Sequence, residues 1–375
     1  MDYLGKDIKK LGFGLMRLPM IGEKIDIEQV KDMVDLFMAN GFTYFDTAYG
    51  YGNGASEEAA KTALVDRYPR ESFQLATKLP PWSGAKTEDE AREMFWTSLK
   101  RTGAGYFDFY LLHNIGSNRI QIFEDYNLWE FGLELKEKGL IKHFGFSFHD
   151  KADVLDELLT KHPEAEFVQL QINYADWDSE TIESRKCYEV ARKHNKPVII
   201  MEPVKGGTLA NLPDKLARIF KEADENASLA SWAIRYAASL DGIITVLSGM
   251  SNMEQMQDNI SYMKDFKPLN EKEREVIAKV QTAMKELASI PCTDCKYCVE
   301  GCPQGINIPS LFELMNDYYV YENLEEAKKS YKWQTEKRGR ASDCIACGNC
   351  EGVCPQSIPI INELSKIAEV MEAGV

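Results

Sequence analysis

Eight of the nine cysteines stand in two matched runs, Cys292-x2-Cys295-x2-Cys298-x3-Cys302 before Pro303 and Cys344-x2-Cys347-x2-Cys350-x3-Cys354 before Pro355. No other feature restricts the fold as tightly. Three thiolates on one short loop cap three irons of a [4Fe–4S] cube, and the fourth, beside proline, reaches across to a second cube. The spacing predicts two clusters with crossed ligand sets: Cys292, Cys295, Cys298 and Cys354 on one, Cys344, Cys347, Cys350 and Cys302 on the other. Gly301, Gly348 and Gly352 are expected to turn the backbone tightly and aim N–H groups at sulfide. Structural zinc would use four ligands in two pairs rather than two runs of four. Disulfides suit an oxidising compartment, whereas the opening Met1-Asp2-Tyr3-Leu4-Gly5-Lys6 carries no apolar signal segment and predicts a cytoplasmic chain. Cys187, alone in a helical stretch, reads as a packing residue.

With 375 residues there is room for a large domain beside a small one. No run of eighteen apolar residues occurs, so no membrane span is expected. A net charge of −15 argues against a nucleic-acid partner and suits docking on the basic surface of a redox protein. Short apolar runs alternate with helical periodicity, and eight strands are expected: Leu11–Met16, Thr43–Thr47, Phe73–Lys78, Phe107–His113, His143–Ser147, Phe167–Asn173, Pro197–Met201 and Ile243–Ser248. Helices between them, such as Ile27–Asn40, Thr87–Thr102 and Ala227–Leu240, complete an α/β class, a (β/α)8 TIM barrel over residues 1–285. Residues 1–10 are expected to form a small hairpin across the barrel floor, and a last helix to run near Asn270–Ser289. Residues 286–375 then form the cluster domain. Its interval Ser310–Trp333 reads as helical, and it resembles an α-helical ferredoxin, the type found as modules in larger redox complexes.

Polar residues fall where a barrel enzyme places its site, at the C-terminal ends of successive strands: Asp46, Lys78 and His113, with Tyr51 five residues beyond Asp46. The run Phe45-Asp46-Thr47-Ala48-Tyr49-Gly50-Tyr51-Gly52-Asn53-Gly54, with Ala76-Thr77-Lys78 and Tyr110-Leu111-Leu112-His113, resembles the aldo-keto reductase superfamily over roughly residues 1–285. The resemblance implies that Tyr51 gives a proton to a substrate carbonyl as hydride arrives from a nicotinamide, while His113 orients the carbonyl. A tyrosine with a pKa near 10 needs a neighbouring ammonium to stabilise its phenolate, and Lys78, held by Asp46, would supply it. Tyr49 competes with Tyr51 but stands two residues too early.

For the nicotinamide cofactor, the resemblance assigns the carboxamide to Ser147 and Gln171 and the phosphates to Ser248, Gly249 and Ser251, with Gln255 and Asn259 on the following helix. Lys205 is a candidate for the pyrophosphate. Phe148 and Met201 depart from the family pattern, and near Met250, Asn252 and Met256 the usual cation for a 2′-phosphate is missing, which leaves NADP or NAD open. A flavin would bridge hydride and single-electron chemistry, yet no fingerprint for one occurs. Three readings follow. In one, a carbonyl or alcohol oxidoreductase exchanges electrons with a redox partner through its clusters. In another, an ordinary reductase carries structural or regulatory clusters. In the last, the barrel is only the scaffold of a non-catalytic electron carrier.

Overall fold

The short apolar runs become the eight strands of a closed parallel barrel. The computed structural model describes residues 3–288, 290–292, 294–354 and 356–373. The strands are β1 (Leu11–Gly14), β2 (Tyr44–Asp46), β3 (Gln74–Leu79), β4 (Phe107–Ile115), β5 (Ile141–Phe148), β6 (Phe167–Gln171), β7 (Val198–Met201) and β8 (Ile243–Ser248). They follow chain order around the barrel, and β1 pairs with both β2 and β8. Because side chains alternate along a strand, one parity fills the interior and the other meets the helices. Tyr44, Ala76, Phe109, Leu111, Phe167, Ile199, Ile244 and Leu247 form the interior layer. Phe13, Phe45 and Phe73 pack outward with Phe37 of the helix Ile27–Ala39. Each buried aromatic stabilises the fold by about 2–3 kcal/mol, so the register is tightly specified.

That register has a chemical consequence. Two residues beyond the inward-facing Tyr44, Ala76, Leu111, Ile199 and Leu247 stand Asp46, Lys78, His113, Met201 and Gly249, all at the C-terminal mouth. Some of the helices begin at side-chain caps: Thr87 accepts from Glu90 N, Ser228 from Ser231 N and Asn252 from Gln255 N.

The expected N-terminal hairpin does not form over residues 3–10, which make turns instead, and residues 1–2 lie outside the described residues. Leu4 and Ile8 pack against the interior layer, and the Tyr3 hydroxyl donates to Ile243 O at 3.2 Å, so the floor is closed without strand pairing. The two-stranded ribbon comes after β1, pairing Met20–Ile21 with Lys24–Ile25. Its turn needs Gly22, whose φ is +60°.

Two compact units emerge: residues 1–210 with 227–274, and residues 211–226 with 275–375. The division differs from a single cut after residue 285. The segment between β7 and the next barrel helix, carrying helix Asp214–Ala223, groups with the C-terminal unit, where Lys215 pairs with Glu322 at 2.6 Å. Helix Glu271–Leu287 spans the boundary; Ser289, its expected end, lies outside the described residues.

In the C-terminal unit the repeat reaches further than the cysteines. Each run includes a one-turn helix, Tyr297–Glu300 or Asn349–Gly352, and leads into a long one, Ile308–Tyr321 or Ile360–Met371. Helix Leu324–Thr335 lies between the halves in sequence.

Candidate functional site

At the barrel mouth, β2 and β3 hold a buried ion pair. Lys78 Nζ lies 2.5 Å from Asp46 Oδ1, with side-chain exposures of 0% and 4%. The same ammonium donates to Thr47 O at 2.8 Å and to the Tyr51 hydroxyl at 3.4 Å. The loop carrying Tyr51 is anchored from behind: buried Glu57 accepts from Thr77 Oγ1 at 2.7 Å and from Arg101 Nη1 at 3.2 Å. Arg101 also covers the Tyr49 ring at 4.5 Å, so Tyr49 is committed there and Tyr51 is the tyrosine that meets Lys78. An irregularity in β4 between Leu112 and Ile115, with Asn114 at φ +57°, presents His113 edge-on to Tyr51, ring centres 5.8 Å apart.

Burial pulls the Lys78 ammonium down, but Asp46 and Tyr51 outweigh it and hold it above its ordinary value. Burial pushes the Tyr51 phenol above its ordinary 10.0, exceeding the downward pull of Lys78. The ammonium therefore does not bring the phenol toward neutrality; Tyr51 remains protonated at neutral pH, the form a proton donor requires. Burial, and after it the charge on Lys78, pushes His113 well below 6.5 and leaves a neutral ring.

Asp46, Tyr51 and His113 line a cavity of about 450 Å³ together with Trp82, Ser147, Gln169, Met201 and Gly249, and Lys78 is buried behind them. The residues expected to hold the cofactor divide. Ser147, which accepts from Asn114 N at 2.7 Å, and Gly249 line the cavity, whereas Ser251 lines a neighbouring groove. Ser248 and Asn259 bond each other at 2.7 Å, and Gln255 accepts from Ser251 N at 2.8 Å; these contacts fasten the loop after β8. Gln171 donates to Asp176 Oδ2 at 3.0 Å and Lys205 pairs with Asp176 Oδ1 at 2.7 Å, so both are held by one buried carboxylate. Met250 and Met256 are buried in the barrel core.

Two lining residues were missed. Gln169, on the same strand face as Gln171, lines the cavity with its Oε1 buried and unpartnered among the described residues. Inward parity with Phe167 is the signal that could have found it. Arg17 follows β1, and its atoms lie about 4 Å from where side chains at Gly206 and Gly249 would begin. A dinucleotide fits this set: an unpartnered amide oxygen and the Ser147 hydroxyl for a carboxamide, and a guanidinium beside glycines for phosphate.

The cysteines gather into two cavities. One is lined by Cys292, Cys295, Cys298 and Cys354, the other by Cys344, Cys347, Cys350 and Cys302. Their walls repeat: Gln356, Ile358, Ile360 and Phe312 around the first, Gln304, Ile306, Ile308 and Leu364 around the second. Of the three glycines expected to turn these loops, only Gly348 has a positive φ, +78°. Asp294 and Lys296 in the first run, and Ala346 with Gly348 in the second, take left-handed conformations at equivalent positions. Four thiols facing an apolar void suit a [4Fe–4S] cube. Pro355 lies outside the described residues.

Comparison with known proteins matches the barrel and the cysteine region separately. Residues 10–282 match the aldo/keto reductase family and residues 291–358 match a 4Fe-4S dicluster domain. An uncharacterized oxidoreductase, YqkF, of Bacillus subtilis is 25% identical over 287 residues, covering 68% of this chain and 87% of that protein. A shorter match, 31% identical over 80 residues, covers 21% of this chain and 8% of the acetyl-CoA decarbonylase/synthase complex subunit alpha 1 of Methanosarcina acetivorans. Among solved structures, aldo-keto reductase AKR11C1 from Bacillus halodurans aligns with a TM-score of 0.61 and 24% identity over 74% of this chain and 95% of that one. An aldo-keto reductase from Klebsiella pneumoniae in complex with NADPH aligns with a TM-score of 0.58 and 20% identity, over 73% and 91%. The chain belongs to the aldo/keto reductase family, and a 4Fe-4S dicluster domain follows its barrel.

Proposed function

We propose that the barrel reduces a carbonyl compound, or oxidises the corresponding alcohol, with a nicotinamide cofactor, while the clusters exchange single electrons with a separate redox protein. The observation that carries the first half is the Lys78 ammonium held between the Asp46 carboxylate and the Tyr51 hydroxyl beside neutral His113. In reduction, a bound nicotinamide would supply hydride to the carbonyl carbon. Tyr51 gives the carbonyl oxygen its proton, Lys78 stabilises the phenolate left behind, and Asp46 holds Lys78 in place. His113 orients the carbonyl as a neutral donor. Ser147 and Gln169 would hold the carboxamide, and Arg17 would meet phosphate. The Klebsiella relative's NADPH supports a phosphorylated cofactor.

The cluster half rests on the two four-cysteine cavities. A cluster passes one electron where a hydride carries two, so the carbonyl step belongs to the barrel mouth and the one-electron exchange to the cysteines. Cys295 and Cys347 are solvent-exposed, which suits contact with an outside partner. A second reading also has an observation behind it: Cys298 and Cys350 belong to the core of their unit, as expected of clusters that mainly hold it together. Cys344→Ser separates the two. Partner exchange predicts that reduction of the remaining cluster by an external one-electron donor slows in the folded variant while nicotinamide-driven turnover persists; cluster reduction at the wild-type rate contradicts it.

A further inference from the structure

Cations in the barrel unit are mostly spoken for. Arg67, Arg70, Arg92, Arg101, Arg185 and Arg235 each have a carboxylate within 3.4 Å. Arg119 differs. It follows β4, half-buried, with its guanidinium 4.4 Å from the Trp82 ring centre and Nη1 3.4 Å from Asn114 O. No carboxylate pairs with it among the described residues. The acid in the facing loop, Asp150, is turned away: its Oδ2 accepts from Ser117 N at 2.5 Å and its Oδ1 from Lys151 N at 2.8 Å.

Arg119 therefore leans on two residues that line the active cavity, Trp82 and Asn114, and its charge reaches two others, His113 and His149. All belong to the wall beside His113, where the reacting carbonyl is to be oriented. Trp82 Nε1 donates to His113 O at 2.9 Å, which ties this wall to the backbone of His113. A partly desolvated guanidinium without an anion is unfavourable, and its flat fork matches a carboxylate in two hydrogen bonds.

We propose that Arg119 and Trp82 form a subsite for an anionic group of the substrate, so that the barrel acts on carbonyl compounds that also carry a carboxylate. The charge lies on Arg119; Trp82 supports the guanidinium through a cation–π contact. This deepens the reading given under Proposed function and takes the carbonyl chemistry from it. A purely structural Arg119, fastening the Asn114 loop, is the competing account.

The test uses the full-length, cluster-loaded protein and two probes of one shape, 4-carboxybenzaldehyde and 4-formylbenzamide. The wild type is expected to favour the acid by at least tenfold in kcat/KM, and Arg119→Gln to lose at least tenfold more on the acid than on the amide. Arg119→Lys should recover part of that difference. Absence of acid preference in the wild type, or equal losses on both probes, overturns the subsite. Calorimetric binding of benzoate against benzamide tests it apart from turnover. Benzoate binding weakened at least tenfold in Arg119→Gln upholds the subsite even if neither aldehyde is reduced, an outcome that would fail the carbonyl reading alone. Benzoate binding that is absent, or indifferent to Arg119, rejects the subsite.

Discussion

The barrel mouth and the cysteine cavities are organised by opposite means. At the mouth, Asp46, Lys78 and His113 project from strands whose inward parity continues the packed interior layer, and Lys78 joins the Asp46 carboxylate to the Tyr51 hydroxyl. In the C-terminal unit the functional atoms sit on short loops that turn through left-handed residues, and the cysteines help to make the core. The difference teaches where each region draws its order. The mouth is ordered by an ion pair and hydrogen bonds between protein groups, whereas the cysteine loops are expected to draw further order from metal–thiolate bonds.

The sharpest way to break this comparison is at Tyr51. Tyr51→Phe should lower carbonyl reduction by about 10³-fold, within the range for a lost general acid, while iron content and thermal unfolding stay as in the wild type. Lys78→Met should act similarly in rate but also strand the buried Asp46 carboxylate, with a loss of about 3 kcal/mol in stability. If either variant lost its clusters instead of its rate, the two regions would not be separable. Next in size is iron removal. Chelation should erase the cluster absorbance, reduce helical circular dichroism and expose residues 290–373 to protease, with nicotinamide binding retained. A C-terminal unit that stays protease-resistant without iron contradicts the contrast.

Within the cluster unit, Gly348→Ala should cost about 1 kcal/mol because its φ is +78°, whereas Gly301→Ala and Gly352→Ala should cost less than about 0.5 kcal/mol. Denaturant unfolding with clusters in place measures this. The smallest effect is in the pH profile. With Tyr51 above its ordinary 10.0 and His113 already neutral at pH 7, reduction should be flat from about pH 6 to about pH 9 and fall only as Tyr51 ionises. Alcohol oxidation, which needs the phenolate, should rise about tenfold per pH unit over that range. A reduction limb near pH 6.5 would mean that His113 is not neutral.

Much of this arrangement was legible in the chain because period-two alternation and cysteine spacing are local. The eight strands and the sharing of Cys302 and Cys354 between the runs follow from such patterns, whereas the meeting of Asp46, Tyr51 and Lys78 was implied by the resemblance to the aldo-keto reductases. What escaped depends on how the loops pack. Gln171 and Lys205 carry the expected residue types, and both bond Asp176, which lies five residues after Gln171 but twenty-nine before Lys205. The pKa of Tyr51 turned on burial rather than on the neighbouring charge, a quantity fixed only once the loop is packed. The turn positions of the cluster loops fell to Asp294, Lys296 and Ala346 as well as Gly348, so reading glycines alone misplaced them.

The most direct test of the central claim is a single anaerobic turnover with nicotinamide deuterated at the transferred position, offered to the wild type and to Tyr51→Phe with 4-carboxybenzaldehyde. The account predicts deuterium on the carbinol carbon of the product and a rate about 10³-fold slower in the variant at unchanged cofactor affinity. Deuterium that stays on a tightly bound cofactor in the wild type, or transfer equally fast in both proteins, would contradict it.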